Sequence, residues 1–172
     1  MRDSAHTTGV LFVCMGNICR SPTAEGVFRK LLAERAPKLK VHVDSAGTHD
    51  YHLGQAPDVR AIAAARARGI DIQRHRGRQV SAADFEVFDY VLAMDRANLA
   101  ELRAIQPRAA RAELNLLLAY AAHSPVDEVP DPYFGGADGF VRVLDLVELG
   151  AMGLLAHIRR GGAVEVGPSR QR

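Results

Sequence analysis

At 172 residues, with 48% apolar and 24% charged side chains and a formal net charge of +2, the chain has the size of one domain with short ends and can complete a core without disulfide or metal staples. Two cysteines, Cys14 and Cys19, make no disulfide framework, nothing before Val10 resembles a secretory signal, and no apolar run exceeds Leu116–Ala122, far short of the ~20 residues of a membrane span; the expectation is a cytoplasmic protein with reduced thiols and no membrane span. The balance of 22 Lys+Arg against 20 Asp+Glu argues against nucleic acid as a partner.

Residues 1–9 are polar and Gly-containing, and are expected to form a flexible N-terminal segment. Val10–Cys14 is continuously apolar and β-branched, as in a strand covered on both faces. Gly16, Asn17 and Ser21 then mark a loop, Pro22 suits a first helical position, and Ala24, Val27, Phe28, Leu31 and Leu32 recur at helical spacing up to Pro37. Val41–Ser45 reads as a second strand, Pro57–Arg68 as an Ala/Arg-rich helix, Tyr90–Met94 as a third strand and Arg96–Ile105 as a helix. Leu114–Leu118 is a fourth strand candidate, although its Leu content also suits a helix. After a loop over Pro125–Asp138, a last helix is expected from about Gly139 to Arg160, with Phe140, Val143, Leu144, Val147 and Leu154 on one face. This alternation predicts an α/β fold. It would be a three-layer sandwich with a central parallel sheet of about four strands, helices on both faces and a phosphate-binding loop after the first strand, in a single domain over residues 10–160 followed by a flexible tail, 161–172.

The loop carries the chemistry. In open α/β sheets the ligand lies beyond the carboxyl ends of the strands, and Cys14 stands there at the head of Cys14-Met15-Gly16-Asn17-Ile18-Cys19-Arg20-Ser21, a C-x5-R-S pattern. Successive backbone N–H groups curling into a helix N-terminus make an anion nest of phosphate size. Gly16 lets the loop close and Asn17 tolerates a left-handed conformation. Arg20 supplies a permanently charged planar fork for two oxygens. The same positive field favours a thiolate, hence a nucleophile, at Cys14. A Walker-type loop would need Gly-Lys-Ser/Thr where this chain has Cys-Arg-Ser. A zinc site would need a second cysteine pair, and the His49/His52 pair reads as plain loop. No metal or cofactor is expected.

Val-Leu-Phe-Val-Cys-Met-Gly-Asn-Ile-Cys-Arg-Ser-Pro-Thr-Ala-Glu resembles the low-molecular-weight protein tyrosine phosphatases. The resemblance continues through Asp44-Ser45-Ala46-Gly47-Thr48, Gly69-Ile70 to Gln79, Ala93-Met94-Asp95-Arg96-Ala97-Asn98-Leu99 and Asp131-Pro132-Tyr133-Phe134, covering roughly Val10 to His157. It implies Cys14 as the nucleophile, Arg20 as the phosphate clamp, Ser21 as a hydrogen-bond donor to the Cys14 sulfur, and Asp131 as general acid and then base. It also implies that Asn17, Ser45 and His75 hold the loop, and that Cys19 can form a reversible disulfide with the nucleophile. Tyr133 and Phe134 would wall a slot for a phenyl ring, with Tyr51 standing where many members carry Trp. Ile18 stands where relatives acting on phosphoarginine tend to have Thr, and an apolar residue there favours an aromatic ring over a guanidinium.

The expected activity is hydrolysis of phosphotyrosine in a protein substrate through a phosphocysteine. The alternatives are a protein arginine phosphatase, a thiol-dependent arsenate reductase and a phosphate-binding or phosphocarrier module. The reductase needs a further cysteine pair between Gly69 and Ala93, which this sequence lacks. A carrier has no need of Asp131 beside an aromatic wall. Arg60, Arg66, Arg68, Arg74, Arg76 and Arg78 read as a solvated face rather than a nucleic-acid surface. Oligomeric state is left open, a monomer being favoured.

Overall fold

A computed structural model describes residues 6–161; residues 1–5 and 162–172, which hold most of the two expected flexible ends, lie outside the described residues. The elements run β1 (Thr8–Cys14), α1 (Arg20–Arg35), β2 (Val41–Gly47), α2 (Val59–Ala67), α3 (Asp84–Val87), β3 (Tyr90–Ala93), α4 (Arg96–Ile105), β4 (Glu113–Leu116), a 3-10 turn (Leu117–Tyr120) and α5 (Ala137–Arg159). The four strands form one sheet in the order β2-β1-β3-β4. Every pair is parallel, with Phe12 beside Ser45 on one side and beside Leu92 on the other.

Strand alternation divides the core. Val10, Phe12 and Cys14 face a layer built from α1, α2 and α5, where Phe28, Val143 and Leu154 are buried. Leu11 and Val13 face Leu99 and Leu102 of α4 and Phe85 of α3. Because both faces are covered, β1 is apolar without a break from Val10 to Cys14, and Val10, Leu11, Phe12 and Val13 are all fully buried.

Several boundaries differ from the sequence expectation for identifiable reasons. The first strand takes in Thr8 and Gly9, two residues expected to be flexible, because the Gly9 N–H donates to Asp89 (2.8 Å). A side chain on Gly9 would meet the Val87 carbonyl at 3.1 Å. Helix α1 starts at Arg20, so Pro22 is its third residue and not its first; its missing N–H is still one of the donors that a first turn leaves unpaired. Leu117 and Leu118 leave the sheet and tighten into a 3-10 turn that buries both side chains, whereas continued pleating would have sent them to opposite faces. Helix α3 has only four residues, too short for a periodic signal.

The chain leaves β1 to form β2 on one side and later returns to form β3 on the other. The carboxyl ends of β1 and β3 therefore flank a topological switch point, where open α/β sheets bind their ligands.

Candidate active site

The β1–α1 loop begins at Cys14, which is 2% exposed. Its curl depends on Asn17, the one non-glycine residue with positive φ (57°) among the described residues. Asn17 is fully buried and every polar position of its amide is used. Nδ2 donates to Ser21 Oγ (2.8 Å) and Ser45 Oγ (3.1 Å). Oδ1 accepts from the Arg78 N–H (3.0 Å) and lies 3.0 Å from His75 Nε2. Ser45 Oγ donates to Glu25 (2.8 Å), so the serine receives one bond and gives another. His75 Nε2 must carry a proton to reach Oδ1, which fixes that tautomer. Burial lowers the His75 pKa from its ordinary value, against the opposing charge of Glu25, and the ring is neutral. From the β2 side, Gly47 admits the loop: a Cβ there would sit 2.7 Å from the Met15 carbonyl. The N–H groups of Thr48 and His49 donate to the carbonyls of Cys14 and Met15 at 2.8 and 3.0 Å.

The Cys14 sulfur lies 2.9 Å from Ser21 Oγ and accepts the Asn17 N–H at 3.3 Å. Arg20, 2% exposed, donates from Nη1 to Asp95 (2.7 Å) and to the Val129 carbonyl (3.0 Å). Its Nη2 lies 3.8 Å from Asp131 Oδ2, and among the described residues neither Nη2 nor Nε has a hydrogen-bond partner. Burial alone would lower the Arg20 pKa, but Cys14, Asp95 and Asp131 together raise it. The guanidinium is charged, anchored on one edge and open on the other.

A cleft of about 270 Å³ opens over this loop. Cys14, Met15, Gly16, Ile18, Cys19 and Arg20 form its floor and inner wall, and Tyr51, Asp131, Tyr133 and Phe134 stand around it. Asn17, Ser21, Ser45 and His75 lie behind the loop in the network just described. Phe134 is 95% exposed and Tyr51 64%, so the outer wall is aromatic and solvent-facing. Cys19 is a free thiol at 6% exposure. Burial, followed by the charges of Asp58, Cys14 and Asp131, pushes its pKa up to about 12. The two thiols on the cleft are thus unlike: one receives hydrogen bonds, the other is held protonated.

Four residues escaped the sequence reading of the site. Asp95 caps α4 through the Asn98 N–H (2.8 Å) while its other oxygen holds Arg20; Asp-x-x-Asn announces the cap, but not the contact. Glu25 is one turn past Ser21 on α1 and carries no local mark. His52, read as plain loop, lines the cleft and bonds through Nδ1 to Gln55 (2.8 Å). Arg60, read as solvated, holds the Asp58 carboxylate and the carbonyls of Tyr133 and Gly135. Its neighbours are committed too: Arg68 pairs with Asp145 and Glu148, and Arg78 with Asp44 and Asp84. No group of three or more His, Cys, Asp or Glu suited to a metal ion occurs among the described residues, nor is any helix there long and apolar enough to cross a membrane.

A family model described as low molecular weight phosphotyrosine protein phosphatase matches residues 9–164. The low molecular weight protein-tyrosine-phosphatase YfkJ of Bacillus subtilis is 40% identical over 151 residues, 88% of this chain and 96% of the relative. The low molecular weight phosphotyrosine protein phosphatase of Schizosaccharomyces pombe is 42% identical over 132 residues, 76% and 84% of the two chains. Among solved structures, a protein tyrosine phosphatase from Entamoeba histolytica with Hepes in its active site superposes with a TM-score of 0.87 at 38% identity, covering 91% of this chain and 100% of that one.

Proposed function

The chain belongs to the low molecular weight phosphotyrosine protein phosphatase family, and from that premise we propose that Cys14, Arg20 and Asp131 carry out the two displacements by which it hydrolyses phosphotyrosine. It is a phosphatase acting on phosphoproteins. In the first displacement the Cys14 thiolate attacks phosphorus as the bond to the phenolic oxygen breaks, and Asp131 gives that oxygen its proton. The open edge of Arg20 and the loop N–H groups hold the three equatorial oxygens while charge is redistributed among them. In the second, Asp131 takes a proton from water, the water oxygen bonds to phosphorus, and the sulfur–phosphorus bond breaks. The sulfur then leaves as a thiolate toward the Ser21 hydroxyl and the Asn17 N–H, and inorganic phosphate is released.

The observation that carries this reading is the joint placement of a sulfur that receives Ser21 Oγ at 2.9 Å and a carboxylate 3.8 Å from the anchored guanidinium, on one narrow cleft. The aromatic wall supports phosphotyrosine, whose ring spans the depth between the rim and the loop, over the shorter phosphoserine. Ile18 on the inner wall offers a guanidinium no acceptor, which favours phosphotyrosine over phosphoarginine. A thiol nucleophile works only while reduced, which favours the cytoplasm as its compartment.

The test is a side-by-side assay of phosphotyrosine, phosphoarginine and phosphoserine peptides in metal-free buffer, with Cys14→Ser as control. Hydrolysis of the first alone, abolished in Cys14→Ser, is expected; undiminished activity of that variant would sink the mechanism. Replacing Ile18 with Thr should raise the phosphoarginine rate relative to phosphotyrosine.

A further inference from the structure

The loop that carries Asp131 has no regular structure between the 3-10 turn and α5, yet a general acid must be held within fractions of an ångström of the oxygen it protonates. On its N-terminal side the loop is tied down at Val129, whose N–H donates to the Met94 carbonyl (2.8 Å) and whose own carbonyl accepts Arg20. Beyond Asp131 come Pro132, which has no N–H, and the two glycines Gly135 and Gly136. Something else must restrain that side.

Arg60 is the group in place to do so. From the first turn of α2 it donates Nη2 to the Tyr133 carbonyl (3.0 Å) and Nη1 to the Gly135 carbonyl (3.3 Å). Its guanidinium carbon lies 4.6 Å from the ring centroid of Phe140 on α5 and 5.7 Å from that of Tyr133, within cation–π range of both. The fork is held from behind by the Asp58 carboxylate, at 3.0 Å to Nε and 2.8 Å to Nη2. Asp58 is in turn fixed to the phosphate loop, since its N–H donates to the Ile18 carbonyl (2.8 Å). The Tyr133 peptide completes the path: its carbonyl accepts Arg60 while its N–H donates to Asp131 Oδ1 (3.0 Å). One rigid bridge thus runs from Ile18 through Asp58 and Arg60 to the carboxyl of Asp131.

We propose that Arg60 is a positioning residue for the reaction, orienting Asp131 over the phosphate loop through the Tyr133 peptide. This rests on the reading of Asp131 as the general acid. Arg60 touches no reacting atom, and its role is to hold Oδ1 of Asp131 so that Oδ2 faces the leaving group. A lysine would keep the charge but could not hold a carboxylate and two carbonyls at once.

The test compares kcat/KM for phenyl phosphate and p-nitrophenyl phosphate in the wild type, Arg60→Ala, Arg60→Lys, Asp131→Asn and the Arg60→Ala/Asp131→Asn double variant. Removing Arg60 should cost about tenfold or more on phenyl phosphate, which needs the proton, and under about threefold on p-nitrophenyl phosphate, which does not. Arg60→Lys should behave like Arg60→Ala. In the Asp131→Asn background the Arg60 substitution should have little further effect, because the group it positions is already disabled. Asp58 caps α2 through the Arg60 backbone N–H (2.8 Å), so the cap survives both substitutions, and thermal melts check that the fold does. Equal losses on the two substrates, or an undiminished loss in the double variant, would overturn the positioning role while leaving Asp131 as acid. An Asp131→Asn variant without the leaving-group dependence would overturn the acid assignment and the positioning role with it.

Discussion

Asn17 Nδ2 donates to Ser21 Oγ at 2.8 Å, and this bond sets the direction of the next one. With a lone pair of the serine oxygen occupied, its proton is free to point at the Cys14 sulfur, 2.9 Å away, and the alternative acceptor, the Ala46 carbonyl, is farther at 3.4 Å. A buried residue in a left-handed conformation thereby directs a hydrogen bond to the Cys14 sulfur.

Replacing Ser21 with Ala removes that donor and leaves the curl of the loop to Asn17. A hydrogen bond to a charged group contributes about 1.5–3 kcal/mol, so the phosphoenzyme step should slow by roughly 10–100-fold. Rapid-quench measurement of phosphocysteine build-up and decay reads this directly: the intermediate should accumulate because the sulfur is a poorer leaving group. Unchanged decay would mean that Ser21 serves the loop alone.

His75 gives the fold a pH dependence whose sign follows from its burial. In the folded state the imidazole has a lowered pKa and donates to Asn17 as a neutral ring. In the unfolded chain it takes up a proton near its ordinary value of about 6.5. The unfolded state therefore binds more protons below that value, and stability falls as pH is lowered through it and is restored as pH rises. Melting temperatures between about pH 7 and pH 5 should decline more in the wild type than in His75→Gln, whose amide can still donate to Asn17 but does not titrate over that window.

The two cysteines should differ in reactivity although both border one cleft. Cys19, with its pKa pushed up to about 12 by burial and by neighbouring negative charge, holds almost no thiolate near neutral pH, and the thiolate is the form that alkylates. Iodoacetate at pH 7 followed by peptide mass spectrometry should find the label on Cys14 and spare Cys19 until the protein is denatured. Equal labelling of the folded protein would show that Cys19 is not held in its protonated form.

The residues legible in the sequence were those whose geometry is local. The continuous apolar run of Val10–Cys14 marks a strand covered on both faces, and Gly16, Asn17 and Arg20 fall within one turn of chain, so the nest follows from their order. The helix expected over Arg96–Ile105 has those bounds in the structure, where Asp95 caps its start. Asp131 and His75 look like a turn acid and a surface histidine when read alone, and only the resemblance gave them roles. Arg60 reads as solvated in the sequence for the same reason: its partners Tyr133 and Gly135 lie 73 and 75 residues further along, beyond β3 and β4, and nothing in an Ala/Arg helix face announces them. Leu117 and Leu118 could have extended the fourth strand, and it is packing against Gly150 of α5, where a Cβ would lie 2.6 Å from Leu117, that decides against it.

Asp95 performs two tasks with two oxygens, and they can be separated. Oδ1 caps α4 through the Asn98 N–H, and Oδ2 anchors Arg20 at 2.7 Å. Asparagine is as good a cap as aspartate, so Asp95→Asn keeps the helix while replacing the charged anchor with an amide. The guanidinium keeps its bond to Val129 but loses the charge-assisted one, a change of about 1.5 kcal/mol or more, so inorganic phosphate should inhibit roughly tenfold less well. The melting temperature should move little by comparison with Asp95→Ala, which loses cap and anchor together. Phosphate inhibition constants and thermal melts for the two variants check this, and an unchanged inhibition constant in Asp95→Asn would show that Arg20 is placed by Val129 and the walls of its burial alone.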